Sequence, residues 1–350
     1  MSGIVGHVTY AVLAEKAASH YRLPIAGVLR RHFPSYLAGA YLGCDVQTLP
    51  EAVCRDTGQE VGYGTAPISK SPITGGPLSP WTLKFEGAEY TPRDVHRMFY
   101  GRTHLVFGWS AQERSLAVAW DDLPEYLAAV VGDALARFGP GTRHLAYLFG
   151  WMTHVVGDSL IKSIRPGVDL HLLDGKYTPR NRPIQDLVSF HEVGSELRLR
   201  WADLLADLAD TPVEPVQIHY MRVGRAQGQL AAVAPDGWLP GAEPLLRKIL
   251  AENRRYQRIR NRRLLEKLAL RRTPAGRQCD RQLSEQTGGL TYDQMVAAAK
   301  AARFRRALWQ IAEAIVDLFV QVHQQEPLLG DFPADPDSTW AELTRRWKRG

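Results

Sequence analysis

Cysteine is scarce in this 350-residue chain, and the three present (Cys44, Cys54 and Cys279) form no CxxC pair. An odd number at wide spacing excludes a thiolate zinc cluster of the usual type. It fits free thiols in a reducing cytosol, so a cytoplasmic protein is expected. No apolar run reaches the ~18 residues that a membrane-spanning helix needs. The opening MSGIVGHVTY lacks a basic stretch followed by an apolar segment and a small-residue cleavage site, so no secretory signal is expected there. GxGxxG and Walker spacings are missing from the glycine-rich stretch 58–76, and no GxSxG elbow occurs. These absences remove the usual phosphate-cradling loops and the α/β-hydrolase nucleophile. Strand-type alternation is also rare.

What remains is helical periodicity. Segment 4–20 predicts a helix, followed by two short ones at 25–33 and 35–43, with Pro24 and Pro34 where a first turn tolerates proline. Residues 55–91 are rich in Gly, Pro, Ser and Thr and predict a long ordered loop that closes in a small β-hairpin around Glu86–Gly87. Helices are expected again at 92–109 and from Asp122 to Phe138, where Gly139-Pro140-Gly141 breaks the pattern. The run 142–164 is apolar nearly all round, which places it at the centre of a bundle. A loop over 165–183 precedes long helices at 184–208, 242–272 and 292–325. The fold class expected is all-α, a multi-helix bundle in two parts: 1–230, and a C-terminal helical extension, 231–350.

Charge is distributed unevenly. The chain carries a net +6, yet residues 247–277 alone hold twelve Lys or Arg and two Glu, a local +10 on a mildly acidic body. The arginine-rich face of the basic helix (Arg254, Arg255, Arg258, Arg262) suits a nucleic-acid backbone or an anionic membrane surface. It equally suits a solvated helix face packed through Leu246, Ile249, Leu250, Tyr256 and Ile259.

The residues most suggestive of chemistry are His154 and Asp158. Four positions apart on a helix, they share one face, and an imidazole and a carboxylate so placed can grip one Zn²⁺. Both polar groups lie in an apolar helix, where an unneutralised Asp is costly. The plain alternative is an ion pair between Asp158 and Arg143, Lys162 or Arg165.

The run LAYLFGWMTHVVGDSL resembles the central metal-binding helix of the zinc-dependent phospholipase C family, with its G-x-x-x-H-x-x-x-D pattern. GHVTYAVLAEKA is similar to the family's N-terminal helix, and FPSYLAGAYLGCDV to its Gly/Ala-rich element that ends in a ligating Asp. SFHEVGSE resembles the family's later F-H-x-x-x-E ligand helix. The motif order covers about residues 3–200. This resemblance implies a bundle of the phospholipase C type binding one to three zinc ions, with His7, Asp45, His104, His154, Asp158 and His191 as metal ligands. His96 is the alternative to His104. It implies a metal-dependent hydrolase of a phospholipid or other phosphodiester, with Asp45 as the base. Single-strand nucleases share the fold, so nucleic acid is a second substrate class.

Departures from the family pattern are equally specific. Lys162 and Ile164 stand where a further His is usual, with His171 as a conceivable replacement. Ser195 occupies the position of a ligating Glu four residues after His191, while Glu192 and Glu196 lie on other faces. The N-terminal Trp of secreted members is missing. These losses favour a rival reading, a non-catalytic helical protein that keeps one metal and binds a partner.

Overall fold

A computed structural model of the chain describes residues 3–42, 83–85, 88–90, 120–161, 181–210, 261–262, 264–274, 276–327 and 338–349. The described part is mostly helical, as the periodicity predicts. No helix in it is long and apolar enough to cross a membrane.

The first helix, α1, spans Ile4–His20 and is buried along almost its whole length. Helices α2 (Ala26–Arg31) and α3 (Phe33–Leu42) follow. Strands β1 (Leu83–Phe85) and β2 (Ala88–Tyr90) pair antiparallel, with Phe85 opposite Ala88, in the hairpin expected there. Helix α4 (Leu123–Phe138) begins with Pro124, whose fixed φ and missing N–H suit a first turn. It stops at Gly139, whose φ of 76° leaves the helical region. Helix α5 (Arg143–Ile161) is buried on every side from Leu145 onward and touches α1, α2, α3, α4 and the later helix α10. A helix apolar all round must be enclosed, and each fully buried Leu, Val or Phe contributes ~1.5–3 kcal/mol of transfer free energy.

Three long helices expected from the sequence are interrupted. The one predicted over 184–208 starts earlier, as α6 (Asn181–Val188). It widens into a π-helical turn at Ser189–Val193, regains α geometry over Gly194–Glu196, and resumes after a break as α7 (Trp201–Asp210). The break falls at Arg198, which adopts φ 55°. The helix predicted over 242–272 is described only at 261–262 and 264–268. The chain then turns into the ribbon β3 (Arg271–Thr273) and β4 (Gly276–Gln278), so it is not helical to 272. Gly276, at φ 111°, supplies the backbone that this reversal requires.

Helix α8 (Arg281–Gln286) is capped by the Asp280 carboxylate, which accepts from the backbone N–H of Gln282 and Leu283. The helix predicted over 292–325 divides into α9 (Tyr292–Ala301) and α10 (Phe304–Gln325) at Arg303, φ 53°. Helix α9 opens with a reciprocal capping box between Thr291 and Gln294. The last helix, α11, spans Ser338–Trp347.

Helix α10 packs on α1, α4 and α5, and α11 packs on α1, so residues from both ends of the chain share one core. The expected boundary at 230/231 and the helix expected at 92–109 lie outside the described residues.

Candidate metal centre

Helices α3 and α5 cross with their backbones in contact. A Cβ at Gly39 would overlap the carbonyl of Tyr147, and a Cβ at Gly150 would overlap the carbonyl of Tyr36. Only glycine at both positions permits this approach. The Tyr36 hydroxyl then donates to Ala11 O at 2.9 Å, which ties α3 to α1. Three helices thus meet at one depth, and each brings polar groups to the junction.

From α5 come His154 and Asp158, both 0% exposed, and from α1 comes His7, 1% exposed. The His7 and His154 rings stack, with centroids 4.1 Å apart and planes inclined by 27°. His7 Nε2 lies 3.6 Å from Asp158 Oδ1. One ligand atom from each of the three residues falls within 4.8 Å of the others. From α3 comes the carbonyl of Ala40, 3.1 Å from His154 Nδ1. A carbonyl only accepts, so Nδ1 carries the hydrogen, and the lone pair of a neutral His154 ring sits on Nε2. A ligating histidine is usually fixed in this way, by a bond from its other nitrogen.

This donor set suits a metal. Two imidazoles and one carboxylate are zinc-type ligands, and ligand atoms at ~2.0–2.2 Å from a tetrahedral ion stand about 3.4 Å apart. The 3.6 Å between His7 and Asp158 is already close to that value. A single divalent cation could bond both rings and the buried carboxylate together. The buried group His7–His154–Asp158 could therefore hold a metal ion. The neighbouring hydroxyls contribute nothing to it: Thr153 Oγ1 donates to Gly150 O at 2.7 Å and Ser159 Oγ to Val155 O at 2.7 Å, each within α5.

Of the six ligand positions expected, the structure brings these three together. Asp45 and His104 lie outside the described residues, as do His96, His171 and Lys162. His191 is placed elsewhere. It stands on the π-helical turn, half-buried, with Nε2 2.7 Å from Leu268 O and its ring edge-on to Tyr292 at 5.5 Å. Burial pushes its pKa below the ordinary histidine value, against the opposing pull of the Leu268 bond and Glu192.

The two glutamates beside His191 are engaged as well. Glu192 Oε1 accepts from the Tyr292 hydroxyl at 2.8 Å and lies 3.5 Å from Arg277. Glu196 accepts from Arg305, Arg346 and the Trp347 indole. Ser195 is exposed. His191, Glu192 and Glu196 thus tie the segment 189–196 to Leu268, the ribbon, α9, α10 and α11.

Sequence reasoning missed the Ala40 carbonyl and the aromatic wall of the centre. The Tyr10 ring meets His7 edge-on at 6.0 Å, and Tyr41 lies tilted at 6.5 Å. The small residues Ala38, Gly39 and Ala40 in LAGAYL, and Gly150 in LFGWMTH, were the sign of a close crossing. No protein-family model, no curated protein and no solved structure matches this chain.

Proposed function

We propose that this protein is a zinc-dependent hydrolase of phosphodiesters, with phospholipid as the favoured substrate class, and that His7, His154 and Asp158 hold the metal. The observation that carries this reading is the convergence of these three side chains, from positions 147 residues apart or more at the extremes, in the motif order of the resemblance. Two imidazoles and a carboxylate form a three-residue ligand set, the complement typical of a catalytic zinc with a further position for water or substrate. When bound, zinc supplies Lewis acidity toward a phosphoryl oxygen and makes water a competent nucleophile near neutral pH.

The protein's own groups have distinct tasks in this reading. The Ala40 carbonyl orients the His154 ring and fixes its tautomer. His7 and Asp158 would supply the other two ligand atoms, 3.6 Å apart, and the Tyr10 and Tyr41 rings line the His7 side. Asp45 would accept the proton of the attacking water, the role implied by the resemblance, and His104 would add a ligand. Cys279 forms no disulfide among the described residues, in keeping with the reducing, cytoplasmic location proposed.

One observation favours a second reading, in which the metal is a structural staple and the protein binds a partner without turnover. The triad is buried to 1% or less at every member. Elemental analysis of the purified protein, followed by hydrolysis of a chromogenic phosphodiester, separates the two. At least one zinc per chain with turnover that His154→Ala abolishes supports the hydrolase. Zinc without turnover supports the staple, and no zinc after incubation with excess metal rejects both.

A further inference from the structure

The ribbon β3–β4 brings two arginines into direct opposition. Its register pairs Arg272 with Arg277 and Arg271 with Gln278. Like charges facing each other across a strand pair repel. The fold relieves this at Arg277, whose guanidinium lies 2.7 Å from Asp293 Oδ1 and 4.5 Å above the Tyr292 ring, with Glu192 at 3.5 Å. Among the described residues nothing comparable is provided for Arg271 and Arg272. Both are exposed, and neither makes an ion pair among the described residues.

Among the described residues, the acidic groups near the ribbon face other partners. Asp293 and Glu192 face Arg277, Glu285 pairs with Arg281 at 2.7 Å, Glu266 lies 4.0 Å from Arg262, and Asp280 caps α8. Successive side chains of a strand point to opposite faces, so Arg271 and Arg272 present a cation on each side of a narrow ribbon. The preceding sequence from Arg247 is equally basic.

The choice of partner follows from what accompanies these cations. Tyr21, in the turn after α1, is the one large apolar side chain exposed among the described residues. A lipid surface is normally engaged by an apolar face beside the basic one, and a single strand by exposed aromatic platforms. Duplex backbone needs neither, and its major groove admits a two-stranded ribbon between two phosphate-lined walls. We infer that β3–β4 docks on the phosphate backbone of a duplex nucleic acid, with Arg271 and Arg272 as phosphate contacts. The inference is independent of the metal centre.

The test is fluorescence anisotropy of a labelled duplex of about 20 base pairs titrated with the full chain in EDTA, between about 50 and 200 mM salt. The wild type is expected to bind with steep salt dependence. Arg271→Ala/Arg272→Ala is expected to bind at least about tenfold more weakly and to lower the log–log salt slope by about 2, at ~0.9 per phosphate contact. Arg281→Ala, an exposed cation already paired with Glu285, serves as the control and is expected to change neither quantity. Circular dichroism of each variant verifies that the fold is kept.

Unchanged affinity and slope in the double variant would overturn the inference. So would failure of the wild type to bind duplex at the lowest salt, or binding to phosphatidylserine vesicles in place of duplex. Zinc content is measured separately, so loss of the metal reading and loss of this one are distinguishable.

Discussion

Two clusters of buried and half-buried histidine chemistry stand among the described residues, and they are built on opposite plans. Around His191, each acid or ring meets a matching protein group: a carbonyl for the imidazole, a tyrosine hydroxyl and an arginine for Glu192, and two arginines and an indole for Glu196. Around His154, two imidazoles stack beside a carboxylate at full burial. The first arrangement is complete as protein. The second gathers ligand atoms within 4.8 Å of one another and could hold a metal ion.

The sharpest way to break this comparison is at the helix crossing that creates the second cluster. Gly150→Ala drives a methyl into the carbonyl of Tyr36 and the nitrogen of Ala40. Overpacking of this kind costs about 3 kcal/mol, read as a lowered midpoint in urea unfolding. It should also weaken zinc retention, because Ala40 orients His154.

Removing a ligand comes next. Asp158→Asn keeps the shape and deletes the charge. Zinc content after gel filtration should fall at least tenfold, while His191→Ala retains the wild-type content. Equal losses in the two variants would place His191 within the metal centre and erase the distinction. Dialysis against EDTA tests the same point without mutation. A ligand at 100 times its Kd stabilises by about 2.7 kcal/mol, so the wild type should melt several degrees lower after chelation and Asp158→Asn should not.

Smaller effects belong to the first cluster. His191→Ala removes one hydrogen bond to Leu268 and should cost about 1 kcal/mol with no change in metal.

Its pH dependence should be smaller still, with a definite sign. Burial holds the folded-state pKa of His191 below its unfolded value, so the unfolded chain takes up that proton first as pH falls. Stability then declines below about pH 6.5 and levels off beneath the folded pKa. His191→Gln, which retains a donor for Leu268, should flatten that part of the stability curve. The measurement is made in EDTA, so that acid release of zinc does not contribute.

Much of this was legible in the sequence where local chemistry decides. Pro124 and Gly139 bracket α4, the all-apolar run of α5 requires enclosure, and the spacing of His154 and Asp158 puts them on one face. His7 was legible through the resemblance alone. The breaks at Arg198 and Arg303 were not, because left-handed backbone at a non-glycine residue is imposed by tertiary packing and leaves no compositional mark. The ribbon was hidden for a different reason. Its first strand begins at Arg271, inside the end of a charged pattern read as helix to 272. The surroundings of His191 come from residues 268, 277 and 292, far along the chain, and no spacing rule reaches them.

The contact between Gly39 and Gly150 has a mechanical consequence. Side chains at an ordinary interface absorb small displacements by changing rotamer, but a joint of bare backbone has no such slack. It behaves as a stiff coupling: a shift of α3 along its axis carries the Ala40 carbonyl with it and turns the His154 ring by leverage. Occupancy of the centre should therefore register on the outer face of α3, where a spectroscopic label at Pro34, an exposed position remote from the ligands, would sense binding without touching them.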